Sequence, residues 1–451
     1  MLDSGCLQPD LLKRSREAGK GERIFSRKEE IMSDSYEQTA EVRVGAEGVS
    51  ARFQVQKVLL ALQHLLAMFG ATVLVPILTG LDTSVALFSA GVGTLLFHWT
   101  TKGKVPVFLG SSFAFIPVII AVRDGFGGDL RYAQGGIIVA GAVYVLLSLV
   151  VRTVGAEKVV RFFPSQVVGP MIMVIGLNLI PVAVDMARQG TILAAVTLGT
   201  ALAIHFLGKG FFRQMAIITA VAVGYLAAGV TGALDTAAMD AAVWLGMPAF
   251  SMPRFDLAAI LVIAPVVLAV TMEHIGDITT NGAVVGKNFL KDPGLDRTLL
   301  GDGLATMFAG LVGGPANTTY GENTGLLAIT KNYDPSILRM TAAIAIVLGL
   351  VGKVGGFLRT IPVPVMGGIS LMLFAMIALI GVRTIRDSRI AFDLRNFVIM
   401  GSILVLGLGG NLGLNLSIGL TDQVSLSGLS LAALVGVVLN QVLYGFQSFR
   451  G

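Results

Sequence analysis

The chain has 451 residues, 54% of them hydrophobic and only 14% charged, with a mean hydropathy of +0.79. A soluble protein of this length carries about a quarter charged residues, and here the apolar residues come in blocks of roughly 20, the length that crosses a bilayer as helix. A soluble globular protein is thereby excluded, and the net charge of +5 becomes a matter of membrane topology rather than of nucleic-acid binding.

Residues 1–54 are polar and of mixed charge, without the continuous apolar core of a signal peptide. They read as a cytosolic tail, mostly disordered, with a short helix around Leu11–Glu30 as the alternative. The single cysteine, Cys6, lies there, so neither a disulfide framework nor a Cys/His metal site can be built. From residue 55 to 451 the apolar blocks predict spans at 56–77, 83–101, 107–122, 133–151, 162–184, 190–208, 214–231, 255–275, 298–314, 320–330, 337–358, 362–382, 396–412 and 424–447. Two of these fourteen, 107–122 and 320–330, are short and interrupted by Gly and polar residues. With the N-terminus inside, 27 of the 33 Lys and Arg fall on the inside, and the loops alone split 17 to 6. That is the sense the positive-inside rule requires, and it places both termini in the cytosol of a multi-pass plasma-membrane protein. The 56 glycines fit helices that pack closely in lipid.

Seven plus seven spans would form an inverted repeat, and three pairs of short matches recur in order in the two halves. Gln63-His64 answers Glu273-His274; Gly110–Phe115 answers Thr318–Asn323; Pro164, Val167 and Gly169 answer Pro362, Val365 and Gly367. The two broken spans occupy corresponding positions. Irregular backbone at membrane depth is tolerated where it lines a cavity or is buried in protein, and the half-helices beyond it turn partial positive charge toward a ligand. Their Ser, Thr and Tyr runs predict short strands near the midplane, and this is where the substrate is placed.

Few acidic residues lie within the spans: Glu273 and Asp277 in the eighth and Glu322 in the tenth. A charge at the bilayer centre costs at least about 2.5–3.5 kcal/mol, so such groups are normally kept for function. Glu273 and Glu322 are therefore candidates to exchange protons. Asp277 shares a helical face with Glu273, although Gly276-Asp277 reads as approaching the cytosolic end of its span. His64 stands where the repeat places His274 and is expected to hold the site's hydrogen bonds, with Gln63 beside it. His98 and His205 read as packing residues, and a packing role is also the commoner fate of a buried His274. Two carboxyls beside free backbone N–H groups suit a planar, uncharged ring with N–H donors and carbonyl acceptors, such as uracil, on which Phe113 can stack. No basic residue lies in a central span, which argues against an anionic substrate. No Ser/His/Asp set or metal cluster suggests an enzyme, and no cofactor is expected apart from the coupling proton.

At these residues the chain resembles the nucleobase–ascorbate transporter family, also called nucleobase–cation symporters, and its bacterial uracil permease branch. The signature of acid or amide, Asn, any residue, Gly, four residues, Thr and a basic residue stands complete as Glu322-Asn323-Thr324-Gly325-Leu326-Leu327-Ala328-Ile329-Thr330-Lys331. Gln63-His64, Phe69–Pro76, Leu109–Phe115 and Asn317–Asn323 resemble the same branch, and the similarity runs from about residue 53 to 447. The resemblance implies an all-α membrane fold of fourteen spans in seven-plus-seven inverted repeats. It implies a core domain (about 55–151 and 255–358), a gate domain (about 162–231 and 362–447) and a homodimer formed through the gate. It further implies that Glu273 and Glu322 bind the base, that the backbone of Phe113 and Gly321 donates to its carbonyls, and that Ser112 and Tyr320 lie beside them. Asn323, His64, Gln63 and Asp277 would support the site or its proton coupling. Uracil permeases commonly carry His where Asp277 stands; xanthine carriers tend to have Asp there but Gln in place of Glu322. Proton-coupled uracil uptake is thus the expectation, with a xanthine or purine symporter as the alternative and an anion exchanger or channel behind it.

Overall fold

The computed structural model describes residues 51–444 except 161, 392, 415 and 420–424. The tail to residue 50, with Cys6 and the alternative helix around Leu11–Glu30, lies outside the described residues, as does the chain after Tyr444. The architecture is helical. In chain order the main elements are α1 (Ala51–Thr79), α2 (Thr83–Thr100), β1 (Leu109–Ser111), α3 (Ile116–Gly125), α4 (Arg131–Val154), α5 (Ser165–Arg188), α6 (Thr191–Leu207), α7 (Phe211–Gln214) and α8 (Ala216–Val230). The second half continues with α9 (Leu257–Ile263), α10 (Val266–Val285), α11 (Leu295–Val312), β2 (Asn317–Thr319), α12 (Gly321–Thr330), α13 (Pro335–Leu350), α14 (Gly352–Arg359), α15 (Val363–Asp387), α16 (Leu394–Leu408) and α17 (Gly428–Tyr444).

Among the described residues six helices are long and apolar enough to cross a membrane, and a seventh span results if the bent pair α13–α14 is counted as one. The ends carry the expected chemistry. Asp82 caps α2 by accepting from the Ser84 and Val85 N–H groups at 2.8 and 3.0 Å, and Asp256 caps α9 in the same way. Gly286 and Gly313 close α10 and α11 with φ of 78° and 94°, conformations that favour glycine.

Two predicted boundaries are corrected. The eighth span does not end near residue 275: after a break at Pro265, α10 runs on to Val285, so Asp277 sits in mid-helix rather than near an end. The eleventh, predicted as one run over 337–358, bends by 79° between α13 and α14. Gly352 and Gly355-Gly356 weaken helix propensity there.

Packing pairs the helices in a pattern that repeats between the halves. α5 packs along α15; α4 packs on α11 as α13 packs on α2; α6 packs on α8 as α16 packs on α17. Glycines let backbones approach: a Cβ at Gly141 would stand 2.7 Å from the Gly303 carbonyl, and one at Gly381 would stand 2.6 Å from that of Gly169. Such small-residue seams are how helices associate in lipid, where burial of apolar surface contributes little.

β1 and β2 cross as an antiparallel pair with Leu109, Gly110 and Ser111 opposite Thr319, Thr318 and Asn317. The residues that the sequence repeat matched, Gly110 and Thr318, face each other at the centre of the register. Each strand is held by the helix before it. Thr94 of α2 receives the Leu109 N–H at 2.9 Å, and Thr306 of α11 donates to the Asn317 carbonyl at 3.1 Å. These bonds satisfy backbone groups that have no helical partner.

Candidate functional site

β1 leads through a tight turn (Phe113–Phe115) into α3, and β2 leads directly into α12. Because the strands are antiparallel, the two half-helices leave the crossing in opposite directions and present their N-termini toward it. Neither start has a side-chain cap: Ser112 and Tyr320, the flanking residues, make no capping hydrogen bond. The first-turn N–H groups of both segments are therefore disposed to donate to a ligand.

Glu322 lies in the first turn of α12 and is half-buried. Facing it, α10 supplies Glu273 and Asp277, also half-buried. Glu273 is close enough to Glu322 and Asp302 to interact electrostatically with both. Asp277 is held by Thr319, whose Oγ1 donates to its Oδ2 at 3.0 Å. A Cβ on Gly321 would stand 3.6 Å from Asp277 Oδ1, so the Gly321 backbone passes directly beside this carboxylate. Three carboxyls and the two broken segments thus share one locus.

The remaining predicted residues divide by environment. Phe113 is half-buried at the start of the β1–α3 turn and meets Phe374 of α15 edge-to-face at 6.1 Å. Ser112 is buried, its N–H donating to the Ala316 carbonyl at 2.8 Å while its hydroxyl has no partner among the described residues. Tyr320 does structural service: its hydroxyl donates to the Ser111 carbonyl at 2.9 Å and accepts from Thr72 at 3.3 Å, tying α1, β1 and β2 together. Gly110 makes room for that ring, since a Cβ there would overlap it and stand 2.7 Å from Thr72 Oγ1. Gln63 is half-buried on α1, and His64 and Asn323 are buried. Among the described residues His64 Nδ1 and both polar side-chain atoms of Asn323 have no partner, and buried polar atoms are rarely left so.

Three features escaped the sequence reading. Asp302, inside the predicted ninth span, was not counted among the intramembrane acids. It is 0% exposed, as is His274, and its Oδ2 lies 2.8 Å from His274 Nδ1. His274, adjacent in sequence to Glu273, thus pairs across to α11 instead of simply filling space. His98 is buried, with Nε2 2.9 Å from the Val107 carbonyl, steadying the extended run before β1. Finally, a cavity of about 300 Å³ lined by Glu322, Gly325, Met372 and Leu373 also takes in His205 and Arg213. Arg213 comes from the loop predicted between the sixth and seventh spans, and its Nη2 lies 3.4 Å from His205 Nε2. His205 is therefore a cavity residue, and a basic group does reach the site's surroundings, though from α7 rather than from a central span.

Residues 55–416 match the Xan_ur_permease model, described as a permease family. The chain belongs to this permease family. It is 42% identical over 406 residues to the uracil permease of Bacillus caldolyticus, covering 86% of this chain and 92% of that one. It is likewise 42% identical over 392 residues to a probable uracil permease of Haemophilus influenzae, covering 85% and 93%. Among solved structures the transmembrane domain of a cyanobacterial bicarbonate transporter, BicA, superposes with a TM-score of 0.60 at 14% identity, covering 87% of this chain and 98% of that one. A murine solute carrier 26 anion transporter, in its inward-facing state, superposes at 0.63 with 10% identity and 87% and 68% coverage. At such identities these two establish the fold alone. Permeases move solutes without transforming them, so the chain is a transporter and not an enzyme.

Proposed function

We propose that the chain carries uracil together with protons across the cytoplasmic membrane by alternating access. The observation that carries this reading is the meeting of Glu273, Asp277 and Glu322 with the two uncapped half-helix starts. Carboxyls accept from the N–H groups of the ring, the Phe113 and Gly321 N–H groups donate to its carbonyls, and Phe113 borders its face. A proton on Glu273 or Glu322 removes one of the negative charges of the loaded site and so lowers the cost of carrying it through the membrane interior. The uracil permease relatives favour uracil over xanthine, Asp277 notwithstanding, because Glu322 keeps the carboxyl of the uracil branch.

The same reading counts fourteen spans in seven-plus-seven inverted repeats, with both termini in the cytosol. Its support is the loop charge, the symmetric packing and the Gly110–Thr318 centre of the strand pair. The core domain (about 55–151 and 255–358) carries the strands and carboxyls and moves against the gate domain (about 162–231 and 362–447), through which two copies associate. An anion exchanger of this fold is disfavoured by three carboxyls at the site.

Uptake of labelled uracil into proteoliposomes tests the proposal. We expect accumulation driven by an inward proton gradient, inhibition by unlabelled uracil well ahead of xanthine, and no uptake by Glu273→Gln. Wild-type transport by that variant, or indifference to the gradient, would sink the coupling scheme.

A further inference from the structure

We infer that the mouth of the Glu322 cavity is a phosphate site, and that a uracil nucleoside monophosphate binds there with its ring against Glu322 and its phosphate on Arg213 and His205. The inference rests on the uracil reading of the site.

The cavity brings unlike groups together. Glu322, His205 of α6 and Arg213 of α7 all line it, and the short α7 packs against α12 itself. Arg213 and His205 lie 3.4 Å apart, and Arg383 of α15 is near enough to His205 to act on it electrostatically. Arg213 and His205 therefore meet at the cavity, with Arg383 close enough to add to the local positive potential. Among the described residues neither Arg213 nor Arg383 forms an ion pair with a carboxylate. Arg213 can only donate, so His205 Nε2 accepts from it and Nδ1–H is left as a donor; a guanidinium without a carboxylate partner beside that donor suits an anion. The lining also includes the apolar Ile217, Met372 and Leu373, and low-dielectric walls focus the field of a charge along a cleft.

The chemistry fits a phosphate monoester. A guanidinium offers a planar fork that binds two phosphate oxygens, and an imidazole supplies a further donor. About 300 Å³ is more than a single pyrimidine ring fills and leaves room for a ribose. Ribosylation at N1 removes one ring N–H but keeps N3–H and both carbonyls, while the ribose hydroxyls can donate where N1–H did. A doubly charged phosphate held at the rim cannot follow the ring across lipid. The nucleotide would occupy the carrier from the cytosolic side without being transported, and so restrain uptake.

Displacement of labelled uracil from protein in zwitterionic nanodiscs decides the matter, with uridine 5′-monophosphate, uridine and inorganic phosphate as competitors. The nucleotide should compete at least about tenfold better than uridine, a difference typical of a charge-assisted contact, and phosphate alone should compete poorly. The double variant Arg213→Gln/Arg383→Gln should lose that advantage while binding uracil as the wild type does. Equal competition by nucleotide and nucleoside overturns the inference, as does an advantage that survives the double substitution. So does an arginine-dependent thermal stabilisation by anionic lipid without any nucleotide advantage, which would assign the rim to lipid headgroups. If wild-type protein binds no uracil, the uracil reading fails instead, and direct calorimetric titration with the nucleotide still judges the rim.

Discussion

Asp302 and His274 face each other at 2.8 Å with neither side chain exposed. Removing one member leaves the other polar group alone in an apolar interior, a loss of about 3–5 kcal/mol for buried pairs. Asp302→Ala and His274→Ala should each lower the midpoint of thermal unfolding in detergent, and the double variant should lose less than their sum; strict additivity would show that the two do not act as a pair. Glu273, Asp277 and Glu322 were legible in the sequence because a carboxyl inside an apolar block is costly and therefore conspicuous. Asp302 carried the same signal, flanked by Gly301 and Gly303 within an apolar run. Its partner was not legible, because only the packing of α10 against α11 sets His274 beside it.

At the scale of elements, the crossing of β1 and β2 depends on how closely α1, β1 and the Tyr320 ring approach. Gly110→Ala would force a methyl into that ring and the Thr72 hydroxyl, an overpacking that costs about 1–3 kcal/mol. Because the strands lead into Phe113 and Gly321, a displaced crossing should weaken uracil binding while the protein still inserts. Calorimetric titration with uracil checks this, and unchanged affinity would remove the strand crossing from the site. The two broken segments and their strand character were readable from the Gly, Ser and Thr content of short apolar blocks. The continuation of α10 to Val285 was not: Gly276-Asp277 read as the approach to a polar end, and Thr279, Thr280 and Asn281 follow it. In the folded chain these polar groups are answered by other elements. Thr319 donates to Asp277, and Asn281 donates to the Pro106 carbonyl and to Thr324, both at 3.0 Å.

For the whole molecule, the Lys and Arg distribution predicts which loops face the cytosol. In a Cys6→Ser background, Lys209→Cys should react with a membrane-impermeant thiol reagent only from the inner face, and Arg188→Cys only from the outer. Labelling of both from one side would refute the topology. The same orientation puts the rim formed by Arg213 and His205 on the cytosolic side, where a nucleotide would reach it.

The amino-acid sequence by itself determined the membrane class, the positions of the apolar blocks, the two interrupted segments and the conspicuous carboxyls. These follow from local properties: block length against bilayer thickness, the cost of charge in lipid, and glycine and hydroxyl residues that break helices. Only the tertiary structure decided that Gly110 faces Thr318, that Thr319 donates to Asp277, that His274 pairs with Asp302, and that Arg213 shares a cavity with Glu322. Each is a contact between elements remote in the chain, fixed by helix packing and glycine-permitted approach, for which no local pattern exists.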